Sequence, residues 1–187
     1  KLLYPESDII LNMHYSPSPI ETSDSSSIHI EFANKPVERE VVTLTLTESN
    51  ISNQPFVIKA NSRPTFYMRS ALIPEEISLI SIMPHMHLLG KRFKAFAITP
   101  GGDLIPLVNI PEWDFNWQMT YTFKQYIHIP KGSVIYAEAQ YDNTIDNERN
   151  PNRIPKDVGY GWGTRDEMMN LVIYFVKYKQ GDENIVL

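Results

Sequence analysis

No cysteine occurs among the 187 residues, so no disulfide can brace the fold and any bracing must come from packing. Disulfides mark extracytoplasmic chains but their absence marks nothing, which leaves the redox compartment open. Long hydrophobic runs are missing too: nothing approaches the roughly 18 to 20 apolar residues of a transmembrane helix, which excludes a membrane-spanning helix. The opening residues Lys1-Leu-Leu-Tyr-Pro5 do not form a signal peptide, and there is no initiator Met. The expectation is a processed or excised piece of a longer polypeptide. There is no block of like charge, and the net charge is −5. This argues against a nucleic-acid or anionic-membrane surface, and acidic partners are not expected.

Also missing is any helix-period stretch of useful length. Instead, 42% hydrophobic residues with 10 Tyr, 8 Phe and 14 Pro suit many short strands separated by Pro-containing turns. β-branched or aromatic runs lie at 9–15, 28–32, 41–47, 56–59 and 66–69, then at 76–83, 91–99, 117–123, 133–141 and 169–178. Pro100-Gly-Gly-Asp103 carries a hairpin signal. This even spacing predicts an all-β fold, an antiparallel β-sandwich. A polar, Pro-containing link near Asn34-Lys-Pro-Val-Glu38 marks a candidate boundary, dividing residues 1–37 from a domain at 38–187.

The chemistry-bearing residues are few. His85 and His87 follow an alternating strand, and side chains two apart on a strand point the same way, so the two imidazoles can share one ion. Met168 would add a thioether, a soft ligand that suits copper(I) and adds little for zinc, magnesium or calcium. The plain alternative stands beside this. Five His make a pair two apart a common accident, and Met168 lies among Met169, Leu171, Val172 and Ile173, where a gap-filling core residue is the ordinary reading. His29 and His128 carry no motif and are assigned no chemistry. The Asn/Asp-rich segment 141–152 lacks the spacing of a calcium loop and reads as a long turn-forming loop. It leads toward Met168 and is a candidate for part of the rim of the site, with the aromatic segment 113–117 as a candidate opposite wall, although three large aromatics in five residues more often pack in the core and anchor a loop.

His-x-His-Leu-x-Gly-Lys at 85–91, followed about eighty residues later by Asp-Glu-Met-x-Asn-Leu at 166–171, resembles the second domain of the copper type II, ascorbate-dependent monooxygenases. That is the family of the peptidylglycine- and dopamine-hydroxylating enzymes. The resemblance runs from about Asp8 to Lys179. It implies a jelly-roll arrangement, copper as cofactor with ascorbate as electron donor, and an extracytoplasmic (periplasmic or secreted) location. It further implies that His85, His87 and Met168 hold the copper that binds oxygen and attacks a substrate C–H bond. Residues 1 to about 37 resemble the closing strands of the family's first domain, where His14 would match the third His of the electron-donating copper. The adjacent His-His pair that completes that site is nowhere in this sequence. A missing N-terminal domain of the same polypeptide is therefore the implied partner, and the isolated chain is expected to be inactive. The family's animal members carry several disulfides, which this chain lacks.

Substrate recognition departs from the pattern. The peptide-acting member clamps a substrate carboxylate with an Arg two before the first His, an Asn two after the Met and a Tyr two further on. Here those positions hold Met83, Asn170 and Val172. A carboxylate against Met83 would be uncompensated, so a peptidyl-glycine substrate is disfavoured and the substrate stays unidentified. Asn170 is the one retained substrate element, and with Asp166 and Glu167 it is expected to orient the Met168 strand and not to ligate the metal. Two other readings remain: a non-catalytic module that binds copper or a partner within a larger cell-envelope protein, and zinc hydrolysis at the two His with a neighbouring carboxylate.

Overall fold

The computed structural model describes residues 3–13, 15 and 18–187, and its contacts divide the chain into Lys1–Glu40 and Val41–Leu187. The described residues of the first unit contain no strand and are exposed, all but Arg39. The strands expected at 9–15 and 28–32 are therefore not formed there. Alternating apolar residues make a strand only when a neighbouring strand takes up their backbone groups, and Ile9, Leu11, Ile28 and Ile30 stay exposed instead. His29 is exposed and hydrogen-bonded to Ser27. His14 lies outside the described residues.

The second unit is an antiparallel β-sandwich. One sheet orders β1 (Val42–Leu46), β10 (Asn170–Lys177), β4 (Ile77–His85) and β7 (Tyr121–Ile129) as β1-β10-β4-β7. The other orders β3 (Thr65–Arg69), β8 (Val134–Tyr141), β5 (Gly90–Ile98) and β6 (Leu104–Ile110) as β3-β8-β5-β6. β2 (Val57–Ile58) and β9 (Val158–Gly159) form a short ribbon. The 100–103 hairpin joins β5 to β6, with Gly102 at φ 89°, a left-handed angle that glycine takes without strain. Among the described residues no helix is long and apolar enough to cross a membrane.

Alternation builds the core. Leu46, Leu171, Ile173 and Ile82 from one sheet meet Phe66, Met68, Phe93, Ala95, Ala137 and Ala139 from the other, all 4% exposed or less. Each such Leu or Ile contributes about 1.5–3 kcal/mol of burial. Within the second sheet Ala139 pairs with Phe66 on one side and Phe93 on the other, so small residues between large rings leave room for the Leu and Ile side chains of the facing sheet. β4 is interrupted between Leu79 and Ser81 by a register shift against β7. Ile77 and Leu79 before it and Ile82 after it are all buried, so the shift reverses which residues face in. Without it His85, an even number of residues from Ile77, would point into the core. With it, His85 emerges half-buried on the outer face.

Buried polar links stand where covalent ones cannot. Fully buried Asn143 donates from Nδ2 to the carbonyls of Ile58, Lys59 and Lys156, tying the 141–152 loop to two other segments. Asp182, in the 3-10 turn Asp182–Asn184, accepts from Ser78 Oγ at 2.6 Å and pins the end of the chain to β4. His128 stacks on Tyr178 with ring centroids 4.0 Å apart, a packing role.

Candidate metal centre

His85 is the last residue of β4, opposite Asn170, the first residue of β10. The pairing sets His85 beside the segment that carries Met168. His87 lies beyond the strand, so a shared strand face does not orient it. It is held instead by two bonds from the far segment: its N–H donates to Glu167 Oε2 at 2.8 Å and its Nδ1 meets the Asp166 carbonyl at 2.9 Å. The outcome is still convergent, with the two imidazole centroids 5.1 Å apart and the rings near perpendicular at 84°.

Ring tautomers follow from the partners. A carbonyl only accepts, so Nδ1 of His87 carries the proton. Nδ1 of His85 meets Gln118 Oε1, and Gln118 is oriented by donating from Nε2 to the Phe115 carbonyl at 2.7 Å. Its oxygen therefore faces the ring, and Nδ1 of His85 is the protonated nitrogen as well. Both Nε2 atoms are left as lone-pair donors, the state in which imidazole binds metal. Burial, and then the neighbouring His87, lower the pKa of His85 despite the opposing bond to Gln118, which favours the neutral ring.

Glu167 is the clamp of the site. Its side chain is fully buried, with Oε2 accepting from the N–H of both His87 (2.8 Å) and Met168 (3.0 Å) and Oε1 accepting from Leu89 at 2.7 Å. One oxygen thus joins the backbones of two candidate ligands. Burial pushes this carboxyl up to about 7, against the pull of the backbone N–H groups of His87, Leu89, Met168 and Gly90. Met168, 3% exposed, is further fixed by Tyr141, whose hydroxyl donates to the Met168 carbonyl at 2.8 Å. Burial and the nearby Glu167 raise that phenol well above its ordinary value, so it remains a donor. Asn170 reaches Met168 Sδ from Nδ2 at 3.5 Å and accepts from Tyr160 at 2.8 Å. Asp166 supports the turn by accepting from Gly163 N at 3.1 Å.

The aromatic segment forms a wall in part. Trp113 is buried and donates from Nε1 to the His87 carbonyl at 3.2 Å, Phe115 meets the His87 ring edge-on at 5.9 Å, and Trp117 is exposed. Trp113 fits because Gly90 lacks a Cβ: one placed there would stand 2.9 Å from Trp113 Cδ1 and 2.9 Å from Met86 Cε. Among the described residues no group of three or more His, Cys, Asp or Glu gathers as a metal site, so the carboxylate that zinc hydrolysis needs is not beside the two imidazoles. The two Nε2 donors and a thioether fit a soft, redox-active ion such as copper.

The family model for the copper type II ascorbate-dependent monooxygenase, C-terminal domain, matches residues 41–184. The chain belongs to that family. No curated protein matches it. The match covers most of the chain and the whole sandwich up to the last turn, and with it come copper as cofactor and the ascorbate dependence that the family's description states. Gln118 is the residue that sequence reasoning missed, while Phe115 and Tyr141 were placed only as members of the wall and rim segments, without their contacts to His87 and Met168. Gln118 lies 33 residues from the His it orients, and no local pattern signals that contact.

Proposed function

We propose that His85 and His87 through Nε2, and Met168 through its sulfur, hold one copper ion in the oxygen-activating domain of a monooxygenase that hydroxylates a substrate C–H bond. The observation that carries this reading is the shared acceptor: Glu167 Oε2 binds the N–H groups of His87 and Met168 together. A fully buried carboxylate spent on backbone donors from both segments holds their relative position, which a merely core-filling Met168 would not require. Copper bound there would supply the one-electron redox chemistry and the reaction with oxygen. The protein's part is to present neutral imidazoles. Gln118 and the Asp166 carbonyl keep each proton on Nδ1 and each ring in one orientation. Trp113 and Phe115 cover His87 on its protein side and limit water there.

Metal analysis of the purified chain tests the reading: about one copper per chain is expected, held more tightly as copper(I), and lost in His85→Ala and in His87→Ala. Met168→Ile should keep the fold within about 1.5 kcal/mol while removing the sulfur scatterer from X-ray absorption. Unchanged copper affinity in either His variant removes the proposal, and sulfur scattering that survives Met168→Ile but not Met169→Ile moves the ligand by one residue.

A further inference from the structure

The two rows of the outer sheet face nearest His85 carry no charged side chain. Strand register sets Thr45, Val172 and Met83 in one row across β1, β10 and β4, adjoining the row of Asn170 and His85. Their chain neighbours Leu46, Leu171, Ile173 and Ile82 are buried in the core, so alternation turns this row outward. Thr45 is exposed, and Met83, Val172 and Asn170 are half-exposed.

Four of the charged groups on the surrounding loops are turned to other partners, and Arg165 stands exposed in the 163–166 turn. Glu167 is fully buried on backbone N–H groups, and Asp166 accepts from Gly163. Lys91 donates to Asn147 at 2.7 Å, and Arg149 pairs with Asp114 at 3.1 Å. Arg69 stands on β3 in the other sheet. The polar handle beside His85 is neutral: the Asn170 amide nitrogen has two hydrogens, and among the described residues it is hydrogen-bonded to Met168 Sδ.

Resting on the copper reading of His85, His87 and Met168, we infer that the molecule handled here is uncharged where it meets the protein. Its apolar body lies along Met83 and Val172, and a hydrogen-bond acceptor faces the Asn170 amide. An ionised group on this row would lose its water with no opposite charge to replace it, whereas an apolar group gains by covering Met83 and Val172. A neutral acceptor costs little to desolvate once Asn170 bonds it.

Three probes on one skeleton separate the cases: 3-phenylpropionamide (neutral), 3-phenylpropionate (anionic) and 3-phenylpropylammonium (cationic). Each is titrated into the whole chain, copper(I)-loaded and metal-free, with binding followed by NMR at the Met83 methyl and the Val172 methyls. The amide should bind at least about tenfold more tightly than either charged probe, and Met83→Arg should invert the order in favour of the carboxylate by a similar factor. Should Met83→Arg not fold, Val172→Arg, its cross-strand partner, puts the same charge on the same row. Equal or tighter binding of a charged probe overturns the inference, as does an amide that does not saturate by about 10 mM. If the carboxylate wins and Arg165→Ala abolishes its binding, a cation from the 163–166 turn serves this face and the inference is likewise overturned. A chain that takes up no copper yet ranks the probes as expected loses the copper reading and keeps the recognition face. The reverse pattern sinks only the present inference.

Discussion

Replacing Glu167 tests whether a single buried carboxylate holds the metal centre together. The side chain accepts from His87 and Met168 through Oε2 and from Leu89 through Oε1, and it has no exposure to water. In Glu167→Gln the amide oxygen can keep only one of those two positions. Its best choice faces His87 and Met168, which turns the NH2 group onto the Leu89 N–H, donor against donor. One orphaned buried N–H costs about 1–3 kcal/mol. Glu167→Ala orphans all three donors and leaves a void, so a loss of at least about 3 kcal/mol is expected. Urea unfolding of the metal-free proteins reads those two costs directly. Copper(I) affinity, measured by competition with a chromophoric chelator, should fall by about 10- to 100-fold in Glu167→Ala, where the Met168 segment is no longer tied to His87, and by less in Glu167→Gln, whose oxygen still joins the two. An Ala variant with wild-type stability and wild-type copper(I) affinity refutes the clamp. A variant that loses stability while keeping its affinity shows that Glu167 supports the sandwich and not the ligand geometry.

Two further outcomes follow from the structure. Gly90→Ala places a Cβ 2.9 Å from both Trp113 Cδ1 and Met86 Cε, so it should cost about 1–3 kcal/mol in urea unfolding and loosen the Trp113 contact with His87, seen as a red-shifted tryptophan emission. Asp142 accepts from Thr144 and Arg63; burial alone would raise its pKa, but those bonds outweigh it and hold the carboxyl below the ordinary value. A depressed carboxylate contributes stability above its unfolded value that is lost as pH falls through the folded one, so melting temperature should drop below about pH 4 and Asp142→Asn should flatten that limb. An unchanged acid limb in Asp142→Asn would assign the acid sensitivity to other carboxylates.

The strands were readable wherever their alternation was answered by a partner. β1, β4, β5, β8 and β10 stand within a few residues of the runs that mark them, because each buries one face. The runs at 9–15 and 28–32 have the same alternation and form no strand among the described residues, since periodicity says which face could be buried and nothing about what will pair with the edge. The run at 117–123 was readable only in its second half. Trp117 to Thr120 are held out of β7, with Gln118 committed to His85 and to the Phe115 carbonyl. In the metal centre, His85, His87 and Met168 could be named from motifs, yet the reasons for their positions could not. The register shift that turns His85 outward, and the Glu167 and Gln118 bonds, join residues far apart in sequence and leave no local trace. Gly90 is the intermediate case, a motif letter whose purpose appears only once Trp113 is seen against it.

The lack of cysteine bears on how such a centre can be kept rigid. A disulfide would constrain the loops by about 2–4 kcal/mol, mainly by restricting the unfolded chain. Here the joining is done by buried hydrogen bonds, each worth about 0.5–1.5 kcal/mol net, whose loss is costlier than their presence is favourable. Glu167, Tyr141 and Gln118 each link a segment carrying a candidate ligand to a different part of the sandwich. The arrangement is therefore specific more than strong. Such bonds form only when both sheets are packed, because water competes for every donor until the core closes over it. Ligand geometry and folding are coupled for that reason, and a metal that binds only the folded centre stabilises the whole domain by mass action. Copper(I) should raise the melting temperature of the chain, and Glu167→Ala should weaken that rise out of proportion to its cost in the metal-free protein, since it removes the acceptor that His87 and Met168 share.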